Sequence, residues 1–115
     1  MKKILVVDDD DIVRRVVRAG LESEGYQVDE LSNGLNVLSY IRQHQYDLII
    51  LDILMDGKEG FEVATELDKE FSNIPVVMIS SDVSYLQLAE SFVDKVLPKP
   101  INIDALRSIV KDLTA

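Results

Sequence analysis

Four short apolar runs in this chain end on residues able to do chemistry. Ile4-Leu5-Val6-Val7 leads into Asp8, Asp9, Asp10 and Asp11, and Leu48-Ile49-Ile50-Leu51 leads into Asp52. Val76-Val77-Met78-Ile79 is followed by Ser80 and Ser81, and Val96-Leu97-Pro98 by Lys99 and Pro100. If these ends meet, one cleft gathers carboxylates, a hydroxyl and an ammonium. Carboxylates brought together repel each other and are pushed toward protonation unless a cation intervenes. A hard divalent ion that takes oxygen ligands and keeps several waters, Mg²⁺ in particular, suits such a place. A carboxylate can also act as a nucleophile and carry a phosphoryl group as an acyl phosphate. Phosphoryl transfer asks mainly for positioning and charge neutralisation, which a metal held by aspartates, a lysine and a hydroxyl would supply.

The ends meet only if the runs are strands of one sheet. None of the four alternates with polar residues, so each is expected to be buried on both faces, as in a parallel sheet covered by helices. A fifth segment, Tyr26 to Leu31, does alternate, with Tyr26, Val28 and Leu31 set against Gln27, Asp29 and Glu30, the pattern of an edge strand. Helical periodicity fills the gaps. Ile12, Val13, Val16, Val17 and Leu21 form one stripe with a stop near Gly25; Leu35, Leu38 and Ile41 form a second; Phe61, Ala64, Leu67 and Phe71 a third. Ser84 to Phe92 gives a fourth helix, and Leu106, Ile109, Val110 and Leu113 a fifth. The order is β-α five times over, which predicts an α/β fold with a parallel sheet and helices on both faces. In such sheets ligands bind outside the carboxyl ends of the strands, where the strand order reverses.

The composition narrows the function. The chain has 115 residues, enough for one core and a single domain. It carries 21 acids against 12 bases, a net charge of −9, which disfavours direct binding to nucleic acid or to anionic lipid. There is no cysteine, so disulfides, thiolate metal sites and cysteine nucleophiles are excluded, and His44 alone cannot form a multi-histidine site. Met1-Lys2-Lys3 and the apolar residues after it mimic a signal peptide until the aspartates at Asp8 end the run. No apolar stretch approaches the ~20 residues of a membrane span. A cytoplasmic protein is expected.

In combination, these motifs resemble the receiver domains of bacterial two-component response regulators. The resemblance runs from Lys3 to about Leu113 and rests on four motifs. They are Ile4-Leu5-Val6-Val7-Asp8-Asp9, Asp52-x-x-Met55 with Gly60, Ser80, and Lys99-Pro100. It implies a doubly wound, flavodoxin-like fold with strand order 2-1-3-4-5 and five helices, residues 1–115 forming one receiver domain. It also implies that Asp52 is the phosphoacceptor, taking its phosphoryl group from a sensor histidine kinase, a histidine phosphotransfer protein or a small phosphodonor. Mg²⁺ would be bound by Asp9 directly, by Asp8 through water, by Asp52 and by the Leu54 main-chain carbonyl. Ser80 would hydrogen-bond the phosphoryl group, Lys99 would pair with it, and the Lys99-Pro100 peptide would be cis. The output is left open, as is a homodimer. The pattern suits both a standalone regulator and the first domain of a longer one.

Three features depart from the family pattern. Asp56 stands where proline is usual; it forms a turn with Gly57 or brings a further negative charge toward the cation. Val96 replaces the aromatic residue common three positions before the lysine, so the usual aromatic readout is missing, and Tyr85 is the substitute at hand. Phe92-Val93 replaces a small pair near the fourth helix. The residues that tune hydrolysis in the family are here Leu54 and Asp82; leucine cannot orient water, so a moderate to long phosphoryl lifetime is expected. Two other readings compete. A pseudo-receiver scaffold would have lost an acidic or lysine position, and none is lost. A haloacid-dehalogenase-type phosphatase could use Asp8-x-Asp10, Ser80 and Lys99, but it lacks a further acidic motif and leaves Asp52 unexplained.

Overall fold

The structure is a computed structural model describing residues 1–55, 59–91 and 93–115; the expectations placed on Asp56 and Phe92 lie outside the described residues. Strands β1 (Lys3–Val7), β2 (Gln27–Leu31), β3 (Leu48–Asp52), β4 (Val76–Ser80) and β5 (Lys95–Pro98) alternate with helices α1 (Asp11–Glu22), α2 (Val37–Gln43), α3 (Gly60–Glu70), α4 (Val83–Ala89) and α5 (Ile103–Leu113). All pairings are parallel, in the order β2-β1-β3-β4-β5. The two-residue period of a strand divides each apolar run between two cores. Leu5, Val7, Ile49, Leu51, Val76 and Met78 face α2, α3 and α4; Ile4, Val6, Leu48, Ile50, Val77 and Ile79 face α1 and α5. Both faces of the runs in β1, β3 and β4 are buried, which is why they show no polar alternation; the run in β5 is not, because β5 lies at the edge of the sheet with Val96 half-buried and Pro98 exposed.

The helix stripes differ from expectation where tertiary contact decides the face. In α1 the buried residues are Val17, Gly20 and Leu21, while Ile12 and Val16 are 69% and 44% exposed. The packed stripe runs through Gly20 because the Ile103 side chain of α5 lies against it, so closely that a Cβ there would stand 2.9 Å from Ile103 Cγ2. Leu35 does not belong to α2. Its N–H donates to Asn33 Oδ1 in a turn, the helix begins at Val37, and the buried pair is Val37 and Ile41. Leu31 falls on the opposite face of β2 from Tyr26 and Val28, with the α2–α4 core. The fourth helix is shorter than expected and leaves Leu88 exposed. Gly25, with φ of +92°, turns the chain from α1 into β2.

Candidate functional site

The register of the sheet places the site residues in steps. Val7 pairs with Leu51, so Asp8 falls beside Asp52 one position on. Asp52 pairs with Ile79, which puts Ser80 one residue higher, and Ser80 pairs with Pro98, which puts Lys99 higher again. The lysine therefore starts roughly 6–7 Å above the level of the acids, a gap its four-carbon stem spans on the way back down. Backbone bonds continue this geometry past the strands, with Asp8 N–H donating to Leu31 O (3.1 Å), Ile53 N–H to Ile79 O (3.1 Å) and Lys99 N–H to Ser80 O (2.9 Å). β1 and β3 flank the point where the strand order reverses, the place at which open α/β sheets bind ligands.

The resulting cluster is buried and charged. Asp8, Asp52 and Ser80 are 0%, 3% and 2% exposed. The Lys99 ammonium stands 2.9 Å from Asp8 Oδ2 and 3.3 Å from Asp52 Oδ2. Burial, then the charge of Asp8, pushes the Asp52 carboxyl up to about 7 against the pull of Lys99. Burial alone would lower the Lys99 ammonium; contact with Asp8 and Asp52 outweighs it and holds the group above its usual range. One ammonium is too little for three acids.

The unbalanced charge can be matched by a metal. Asp8, Asp9 and Asp52 each offer a carboxylate oxygen, all within 4.8 Å of one another, and Asp9 opens to solvent. Asp8 Oδ1 accepts from the Asp10 amide at 2.9 Å. Asp8 Oδ2 has no accessible surface, and the Lys99 ammonium at 2.9 Å faces it without a well-directed hydrogen bond. A buried carboxylate oxygen in that position fits a cation. Leu54, in the bend after β3, is 43% exposed.

The neighbouring aspartates have structural duties. Asp10 caps α1, accepting from the amides of Ile12 and Val13 at 2.9 and 3.4 Å. Asp82 caps α4 in the same way through the Ser84 and Tyr85 amides, and its own N–H donates to Ser80 Oγ at 3.0 Å. The Lys99-Pro100 peptide is cis. Val96 is half-buried, and the Tyr85 ring lies against Phe61 with centroids 6.1 Å apart. His44 ends α2 and is exposed. One residue in contact with the site carries no motif: Arg14, whose guanidinium donates to the Asp8 carbonyl at 2.6 Å. Its mark in the sequence is an i, i+3 pairing with Asp11, which many exposed helices share.

The sequence matches the response regulator receiver domain family over residues 4–111. The chain belongs to this family. Among curated relatives, the receiver is 36% identical over 103 residues to the transcriptional regulatory protein ResD of Bacillus subtilis, covering 87% of this chain and 42% of ResD. It is 35% identical over 114 residues to the CpxR homolog of Haemophilus influenzae, covering 96% and 49%. The receiver thus spans about half the length of these relatives or less. Among solved structures it superposes on the response regulator TrrA of Thermotoga maritima with a TM-score of 0.91 and 37% identity, covering 98% and 99% of the two chains. The chemotaxis protein CheY4 of Vibrio cholerae gives 0.89 at 25% identity, covering 98% of each. No helix among the receiver's described residues is long and apolar enough to cross a membrane.

Proposed function

We propose that residues 1–115 form one receiver domain that works as a phosphoacceptor switch, with Asp52 taking the phosphoryl group. The observation that carries the reading is a buried carboxylate beside the Lys99 ammonium at 3.3 Å, with two further acids in reach, at the switch point of the sheet. A carboxylate oxygen of Asp52 attacks phosphorus, and the bond from phosphorus to the donor breaks. With a phosphohistidine donor the electron pair leaves with the imidazole nitrogen; with an acyl phosphate it leaves with the carboxylate. Asp52 becomes an aspartyl phosphate, and attack by water later returns the carboxylate and inorganic phosphate. Lys99 pairs with the phosphoryl oxygens, and the Ser80 hydroxyl donates to one of them. Asp8, Asp9, Asp52 and the Leu54 main-chain carbonyl would hold Mg²⁺, which neutralises charge on the transferring group. The TrrA structure, a complex with Mg(2+)-BeF, supports that choice of ion.

The chain catalyses only its own phosphorylation and dephosphorylation. Its donors are a sensor histidine kinase or a histidine phosphotransfer protein in the cytoplasm. Its output is a further domain or a separate protein, reached with or without a homodimer. The net charge of −9 speaks against direct contact with nucleic acid.

The test is incubation with acetyl phosphate and Mg²⁺, followed by mass spectrometry of wild type and Asp52→Asn. Label on Asp52 in wild type, absent from the variant, is expected. No label would favour a pseudo-receiver scaffold, and label on Asp8 with steady turnover would favour a phosphatase.

A further inference from the structure

Asp8 is fixed at three atoms before any ligand arrives. Its N–H donates to Leu31 O, Oδ1 accepts from the Asp10 amide, and its main-chain carbonyl accepts from Arg14 Nη1 at 2.6 Å. The first bond continues the β1–β2 ladder and the second belongs to the turn into α1. The third comes from a side chain on α1, reaching back under the strand end. Arg14 is itself held, with a side chain only 12% exposed. Its Nε donates to Glu30 Oε1 at 3.1 Å, and Nη2 bonds to Asp11. Glu30 is gripped from the other side by Arg18 Nη1 at 3.0 Å. Glu30 precedes Leu31, the acceptor of the Asp8 amide, so Asp8, Arg14, Glu30 and Leu31 close a ring across α1, β1 and β2.

We infer that Arg14 is a positioning residue for the metal site, setting the relative placement of the Asp8 and Asp9 carboxylates. The physical reason lies in the peptide that joins them. The Asp8 carbonyl and the Asp9 N–H share one plane, so pinning that carbonyl fixes the direction in which Asp9 leaves the strand. Asp8 is buried and ordered by the sheet; Asp9 is exposed and follows it outside the ladder. A rigid fork bonded to both Glu30 and the carbonyl suits this task, and a lysine point charge does not. The inference rests on the proposed cation site.

Calorimetric titration with Mg²⁺ tests it on the intact chain without phosphodonor. Arg14→Met keeps most of the stem and removes the donors. A loss of roughly ten- to a hundredfold in Mg²⁺ affinity is expected, the size common when a group orienting a metal ligand is removed. Arg14→Lys should recover only part of it. Glu30→Gln, which weakens the grip on Arg14 while leaving it in place, should move affinity in the same direction by less. The control is Arg107→Met. Arg107 also bonds α1 through the Gly20 carbonyl and Ser23 Oγ, at 3.0 and 2.9 Å, at the helix end remote from the acids. It should lose stability and keep wild-type affinity. Folded Arg14→Met and Glu30→Gln proteins with unchanged affinity would overturn the inference alone, as would an equal loss in Arg107→Met. A wild type that binds no Mg²⁺ would overturn the proposed cation site with it.

Discussion

Gly60 approaches the backbone of Asp52 so closely that a Cβ on it would stand 2.3 Å from the Asp52 carbonyl oxygen and 2.8 Å from Ile53 Cα. Both atoms belong to the main chain of β3 and the bend after it, and neither can swing aside. The Gly60 N–H donates to Ile53 O at 2.8 Å, so the first residue of α3 is tied to the segment that carries the central acid. Gly60→Ala should force α3 and the end of β3 apart. Overpacking of this kind costs roughly 1–3 kcal/mol, with this site at the upper end because backbone must move. Urea unfolding measures the loss, and a variant as stable as wild type would show that the helix simply slides away.

Lys99→Met would leave Asp8 and Asp52 facing each other without their shared ammonium. Removing one partner of a buried ion pair costs roughly 3–5 kcal/mol. Lys99 retains some solvent contact, so the low end is expected in metal-free protein at pH 8. The deficit should shrink toward pH 5, where a proton on one acid replaces the lysine. Denaturation at both pH values measures it, and an equal deficit at the two would contradict the pairing.

The raised Asp52 carboxyl has a defined sign in stability. Unfolded aspartate releases its proton near pH 4, whereas metal-free folded Asp52 holds it until about pH 7, because of burial and then Asp8. Between those values the folded state binds more protons, so its stability falls as pH rises. Asp52→Asn removes this titration. Without divalent cation, the variant should gain on wild type between about pH 4 and pH 7 and level off above that. A difference that stays constant or runs the other way would refute the assignment.

Leu54 stands two residues past Asp52, 43% exposed, with no group to hold a water. Leu54→Asn should hasten loss of the phosphoryl group from the loaded protein severalfold, since a positioned amide can orient the attacking water. A pulse of labelled acetyl phosphate followed by gel filtration and timed sampling gives the rate. An unchanged half-life would place control of hydrolysis elsewhere.

How much of this is legible in the sequence depends on whether the cause is local. Continuous apolar runs announced β1, β3 and β4 because burial on both faces leaves no room for a polar period. Asp8, Asp52, Ser80 and Lys99 are legible from their places at the ends of β1, β3, β4 and β5, since strand register carries them to one rim. The orientation of α1 is not. Ile12, Val13, Val16 and Val17 permit more than one stripe, and the choice fell to Gly20 because α5 presses Ile103 there. By spacing alone Leu35 fits a helix, whereas Asn33 holds it in a turn. Arg14 went unmarked because its partner Glu30 lies 16 residues away on another element.

The bond between the Asp82 amide and Ser80 Oγ runs in one direction only: nitrogen gives the proton and oxygen receives it. A hydroxyl used as an acceptor still owns its hydrogen, which can turn about the Cβ–Oγ bond without surrendering the contact already made. Ser80 is therefore held in place and still able to answer. An anion reaching this rim finds a donor whose hydrogen need only turn, and the start of α4, capped by the same Asp82, is wired to the oxygen that carries it.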